Sequence, residues 1–172
     1  MHYRVTLPVL LLLALGALAV PANLPQIKAQ TLSGKHAVLP DDASGRVALL
    51  VFGFTHSSKP AILAWTKKVG EEFADDQNFV LYDVAVVQDI PRLLRGLAEH
   101  GMRSDVPAAQ HDRFLLLKTD EQAWKKFVGY QQPADAYLVL LDRSGEVRDQ
   151  WHGPFSISED QKLAEEAQQL EK

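Results

Sequence analysis

Val47-Ala48-Leu49-Leu50-Val51-Phe52-Gly53-Phe54-Thr55-His56-Ser57-Ser58-Lys59-Pro60 decides the fold. Val47 to Phe54 is nearly all apolar, the pattern of a strand covered on both faces of a sheet rather than one at an edge. The next residues are polar. From Pro60 the spacing turns helical: Ile62, Leu63, Trp65, Val69 and Phe73 recur at intervals of three and four, with Lys67, Lys68, Glu71 and Glu72 opposite. Ser57 or Ser58 is expected to cap this helix, and Pro60 is acceptable in its first turn. A buried strand thus runs through a polar turn into an amphipathic helix.

The flanking sequence repeats the alternation. Asn23 to Gln30 reads as a polar lead-in. Thr31-Leu32-Ser33-Gly34-Lys35 and Val38-Leu39-Pro40 read as a short hairpin, and Asp41 to Gly45 as a turn. Asp75 to Asn78 ends the first helix, and Phe79 to Val87 is a second buried strand. Asp89 is expected to cap a helix with Pro91 early, Leu93, Leu94 and Leu97 on its inner side, and Gly101 at its end. Phe114 to Leu117 is a short strand. Glu121 to Val128 is a helix carrying Trp124 and Phe127 and closed by Gly129. Tyr137 to Leu141, the turn Asp142 to Gly145, and Glu146 to Trp151 form an antiparallel pair, and Ser158 starts a terminal helix through Leu163, Ala167 and Leu170. This order predicts an α/β three-layer sandwich: a central mixed sheet, helices on both faces, and an inserted strand-helix unit.

The 172 residues suit one domain of ordinary size, and 47% hydrophobic with 23% charged residues is the composition of a globular chain. A net charge of -4 argues against non-specific nucleic-acid binding, which needs a basic patch to displace counterions. Residues 1–22 read as an export signal: Arg4 is the one charged residue, Leu7 to Val20 is an apolar run, and Ala17, Ala19, Val20 and Ala22 supply small residues for cleavage. The run is short for a membrane span, which takes ~20 apolar residues, so cleavage is expected, with an uncleaved anchor and peripheral membrane association as the alternative. Residues 23–172 are then a single domain with a net charge of -5, expected in the periplasm or otherwise exported. The chain has no cysteine. Disulfides, thiolate metal ligands and a cysteine nucleophile are therefore excluded, although an oxidising compartment would permit disulfides.

Several stretches resemble exported thioredoxin-like proteins of the TlpA and peroxiredoxin type: Leu32 to Lys35 as the opening hairpin, Gly45 to Phe52 as the first core strand, and Tyr137 to Val147 as the strand-turn-strand after the active site. Phe52-Gly53-Phe54-Thr55-His56 is similar to the approach to the cysteine pair in Sco-type copper proteins, where cysteine follows the histidine and this chain has Ser57. A narrower resemblance, to the cysteine-less mitochondrial ATP synthase assembly factor, runs through Thr31 to Gly34, Trp65, Tyr82 to Val87, Arg113 to Lys118, Tyr137 to Val139, Gly145 and Trp151. Thioredoxin-like enzymes place a cis-proline immediately before the strand at Tyr137; here that position is Ala136, and Pro133 comes three residues too early. The resemblance implies a scaffold from which both halves of the redox site are missing.

What remains in the former active-site turn is His56, Ser57, Ser58 and Lys59, a polar surface at a helix N-terminus that favours an anion or carboxylate. Alternatively it is only a capped helix start. A Ser-His pair would need an oriented base and an oxyanion hole to act as a nucleophile. In this fold the loop Gln131 to Ala136 is expected to face that turn. The candidate partner-binding surface is therefore His56, Ser57, Ser58, Lys59, Pro133, Ala134, Asp135 and Ala136, with Trp151 at the hairpin end as a further contact. Trp65 falls on an apolar stripe and reads as core. His36, His56, His100, His111 and His152 form no helical metal-ligand pair, and no cofactor or metal is expected. The expected function is non-catalytic binding, as an assembly or chaperone factor for a membrane or envelope protein complex. The alternatives are a redox accessory enzyme without its own thiols and a carrier binding metal through His56.

Overall fold

All seven residues of strand β3 (Val47–Gly53) are buried, as expected of a strand covered on both faces. The computed structural model describes residues 23–172, so the export signal lies outside the described residues. Before β3 stand β1 (Ile27–Thr31) and β2 (His36–Leu39); after it come α1 (Lys59–Glu72), β4 (Phe79–Val86), α2 (Arg92–Asp105) and β5 (Phe114–Leu117). The chain closes with α3 (Glu121–Phe127), β6 (Ala136–Leu141), β7 (Val147–Gly153) and α4 (Ile157–Leu170). The seven strands form one mixed sheet in the order β2-β1-β5-β4-β3-β6-β7. β3 pairs parallel with β4, and β4 parallel with β5; the remaining neighbours are antiparallel.

Alternation along β3 splits the core into two layers. Ala48, Leu50 and Phe52 meet Tyr137, Val139, the α3 residue Trp124, and Ile27 and Leu39 of the hairpin. Val47, Leu49 and Val51 meet Ala61, Trp65 and Val69 of α1 and Leu163, Ala164 and Ala167 of α4. Trp65 is 1% exposed and its Nε1 donates to Gly153 O at 3.3 Å, so it is core.

Three readings of the sequence need correction. Asn23 to Gln30 is more than a lead-in, because Leu24 and Ile27 are buried and β1 already begins at Ile27. Ser58 holds the N-cap position of α1, but neither it nor Ser57 makes a side-chain capping bond, because the helix is entered through a 3-10 turn at His56–Ser58. The third concerns α2. Asp89 makes no cap, Gly101 lies inside the helix, and no residue of α2 is fully buried. Leu93 is 97% exposed, Leu97 72% and Leu94 53%. The helix is held instead by Met102, packed against Leu32, Val87 and Leu116, and by polar side chains: Arg95 donates to Ile90 O and Gln88 O, Arg103 Nε donates to Leu32 O at 2.7 Å, and Glu99 pairs with Lys118 at 2.8 Å. Periodicity finds an apolar stripe but does not say which face docks. Here, long arginine side chains reach carbonyls left open by loops, and the leucine stripe is turned outward.

Candidate functional site

The polar turn sits where β3 ends against the start of α1. A Cβ at Gly53 would push aside Ile62 Cδ1, the far end of a half-buried side chain, and crowd Ser58 Oγ at 3.1 Å. Thr55 is extended (φ -142°, ψ 163°), which sends the chain away from the sheet before the 3-10 turn. The Thr55 hydroxyl donates to Pro133 O at 2.6 Å. Ser57 Oγ lies 3.1 Å from the same carbonyl and 2.7 Å from Thr55 Oγ1, so its single proton is engaged with one or the other. Ser58 is fully buried, and its hydroxyl donates to Thr55 O at 2.8 Å. The N–H groups of Ser58 and Lys59 already bond Thr55 O and His56 O, and Pro60 has none. The helix start therefore offers an anion few free donors.

The opposing loop is pinned from beneath. Tyr137, 1% exposed, accepts hydrogen bonds at its hydroxyl from the Gln131 and Gln132 N–H groups and donates to Gln132 O, each at 2.9 Å. Its ring stacks between Tyr130 at 5.4 Å and His152 at 5.8 Å and meets Phe54 edge-on at 5.6 Å. His152 Nδ1 lies 3.1 Å from Asp135 Oδ2, and its Nε2 lies 3.2 Å from Gln131 Nε2. Both ring nitrogens of His152 thus lie against polar groups of the loop, which fixes the orientation of the ring.

The turn and the loop meet as the sequence suggested, joined through Pro133 O. His56, Ser57, Lys59, Pro133 and Ala134 are exposed and Asp135 is half-buried. Ser58 and Ala136 are fully buried, so neither presents a side chain to a partner. Ala136 is instead the first residue of β6, paired with Gly153. Among the described residues the cis peptide is Leu39-Pro40, so the position before Tyr137 carries neither a proline nor a cis bond. Trp151 is half-buried and packs on the α1–α4 side of the sheet. Lys59 Nζ bonds Asp105 Oδ2 at 2.6 Å, tying the turn to the end of α2. Sequence reasoning missed Thr55, Gln131, Tyr137 and His152. A tyrosine opening a buried strand was the available signal, since a buried hydroxyl requires a partner.

Ser57 Oγ hydrogen-bonds no histidine or carboxylate among the described residues. An arrangement in which hydroxyls bond carbonyls holds a shape; it does not activate a nucleophile. Among the described residues no three histidine or carboxylate groups gather where they could hold a metal ion, and the His111 ring bonds Val106 O at 2.9 Å.

No protein-family model matches the chain, and no curated protein is similar to it. Solved structures match it over most of its length. The Chlorobium tepidum protein described as a thiol:disulfide interchange protein DsbE superposes with a TM-score of 0.63 at 18% identity, covering 91% of this chain and 100% of that one. The fold is thioredoxin-like. The thioredoxin domain of a thiol-disulfide oxidoreductase from Bacteroides vulgatus gives a TM-score of 0.61 at 20% identity, over 87% of this chain and 98% of that one. BsSco, a member of the Sco family of cytochrome c oxidase assembly proteins, gives 0.59 at 16% identity, over 88% and 94%. These likenesses show the thioredoxin-like layout and give no support to the narrower resemblance to the ATP synthase assembly factor. With no cysteine anywhere in the chain, the thioredoxin-like scaffold lacks a redox-active thiol. No helix among the described residues is long and apolar enough to cross a membrane.

Proposed function

We propose that this chain is an exported, non-catalytic thioredoxin-fold protein that acts by binding a protein partner, as an assembly or chaperone factor for a membrane or envelope complex. One observation carries the reading. At the position of the redox pair, the hydroxyls of Thr55 and Ser57 converge on Pro133 O and lock turn to loop. A partner meets an edge whose shape is set before it arrives, which lowers the ordering cost of association. His56, Ser57, Lys59, Pro133 and Ala134 are exposed along that edge. The apolar run at Leu7 to Val20 supports export, and the neighbourhood of DsbE-type and Sco-type folds supports an envelope setting.

Site-specific photocrosslinking in envelope preparations tests this. A crosslinker at Ala134 or His56 is expected to trap a discrete partner, whereas one at Lys67, on the outer face of α1, is expected to trap none. Equal yields at both positions, or thiol-independent reductase or peroxidase activity of the purified chain, would overturn it.

A further inference from the structure

The C-terminal half of α1 stands off from β4 and leaves a cleft of about 710 Å3, far from the turn at the other end of the helix. Its size lies inside the ~300–1,000 Å3 range of small-molecule sites. Val69 and Gly70 of α1 and Phe73 just past its end form one wall, with Phe79, Leu81 and Asp83 of β4 facing them. The alternation of β4 puts Asp83 on this side: Val80, Tyr82 and Val84 belong to the opposite core layer, while Phe79 and Leu81 pack on the α1 side. Gly70 is exposed and leaves the wall open, since a Cβ there would reach no closer than 3.9 Å to Leu81.

Asp83 is the unusual member. Its Oδ1 is enclosed and accepts no hydrogen bond from the described residues. Burial pushes its carboxyl up to about 7, and no cationic neighbour offsets the effect. Arg46 and Arg113 line the same cleft, together with Asp75 and Asp76. Arg46 is occupied, donating to Asp42 O at 3.0 Å, and Arg113 is exposed. Of these lining groups Asp83 Oδ1 is the enclosed polar atom without a hydrogen-bond partner, and Val69, Phe73, Phe79 and Leu81 supply the apolar part of a lining that also carries Thr66, Gln77 and Gln110.

We propose that this cleft binds a primary ammonium group on a short apolar stem, with the ammonium on Asp83 and the stem between Val69, Phe73 and Leu81. Such a group gives Asp83 both the donor and the opposite charge it lacks. The stem can belong to a free alkylamine or to a lysine side chain of a peptide. The site is separate from the docking edge at His56 and stands or falls without it.

Amide chemical shifts of the intact chain, followed while n-butylammonium, acetyl-Ala-Lys-Ala-amide or n-butanol is added, test the assignment. Saturable shifts are expected at Gly70, Leu81, Asp83 and Gln110 with at least one of the two amines and not with n-butanol; which amine is bound names the source. Protons compete with the ligand for Asp83, so affinity is expected to fall about tenfold from pH 8 to pH 6. Asp83→Asn is expected to lose at least tenfold, and Gly70→Leu, which fills the cleft and leaves the carboxyl intact, to lose binding as well; spectral dispersion checks that both variants fold. Butanol binding as well as the amines, unchanged affinity in Asp83→Asn, shifts confined to other surfaces, or no shifts at all would each overturn the proposal.

Discussion

The two ends of α1 are opposites. At its N-terminal end every hydroxyl of the turn is engaged: Thr55 and Ser57 on Pro133 O, Ser58 on Thr55 O, and Tyr137 beneath the facing loop. Toward its C-terminal end, two enclosed carboxyl oxygens, Asp83 Oδ1 and Asp160 Oδ1, have no protein donor. Thioredoxin-like enzymes concentrate reactive groups at the first end. In this chain the hydroxyls of that end have become settled structure, while Asp83 Oδ1 and Asp160 Oδ1 at the other have no partner; Glu121 Oε2 in α3 and Gln150 Nε2 in β7 are further enclosed atoms without one, away from α1. Buried polar groups are normally hydrogen-bonded, so the exceptions mark where a ligand, a proton or a partner has something to gain. The contrast separates a surface suited to docking by shape from a cleft suited to binding by charge.

The largest effect is expected from Asp83. Its folded carboxyl holds a proton until about pH 7, while the unfolded carboxyl releases it near the ordinary value of 3.8. Between those values the unfolded chain is deprotonated and the folded one is not, so raising pH favours unfolding, by up to ~4 kcal/mol across the interval. Above pH 7 the loss levels off. Asp160, Glu166 and Glu171 are also raised, chiefly by burial, and slope the same way, whereas Asp142 and Asp112 are lowered and slope oppositely. The difference between the wild type and Asp83→Asn isolates the one group. Urea unfolding at pH 4 and pH 8 should show a markedly smaller pH-dependent loss in the variant, and parallel profiles would refute the assignment.

At the settled end, Tyr137→Phe removes three hydrogen bonds from one hydroxyl and keeps the ring stack. A loss of ~1–3 kcal/mol is expected, together with faster hydrogen exchange at the Gln131 and Gln132 amides. Unchanged exchange would mean that the loop is held by something other than Tyr137. Next in size is Arg103→Met, which removes the bond to Leu32 O and keeps most of the stem; ~1–2 kcal/mol is expected in the same unfolding assay.

Much of the fold was legible because β3 and β6 are continuous apolar runs whose burial needs cover on both faces, β4 is apolar but for Tyr82 and Asp83, and the helices between them follow from the change of period. The meeting of turn and loop was legible only through resemblance: nothing local to Pro133 announces that Thr55, 78 positions away, will donate to its carbonyl. His152 and Tyr137 escaped notice because their roles lie in a hydroxyl and a ring nitrogen reaching backward across a hairpin. Asp83 was read as part of a buried strand, which it is; that its carboxyl faces a cleft depends on how far α1 stands from β4, a distance no pattern along the chain encodes. The docking side of α2 was read the wrong way round for a related reason. A helix with leucines on one side and arginines on the other normally buries the leucines, and it reverses only when the arginines have carbonyls within reach.

That reversal gives the smallest expected effect, and its smallness is the point. Leu93→Ser with Leu97→Ser alters two side chains that are 97% and 72% exposed, so the unfolding free energy should stay within ~0.5 kcal/mol of wild type. In an ordinary amphipathic helix the same pair would sit in the core and cost several times as much. The variant therefore separates the two arrangements by urea unfolding alone. A loss above ~2 kcal/mol would place the leucines inside and Arg103 outside. An unchanged value, beside a real cost for Arg103→Met, would establish that α2 docks through Arg103 and not through its leucine stripe. It would then bring an exposed apolar stripe to the border of the settled end of α1, to which Asp105 ties it through Lys59.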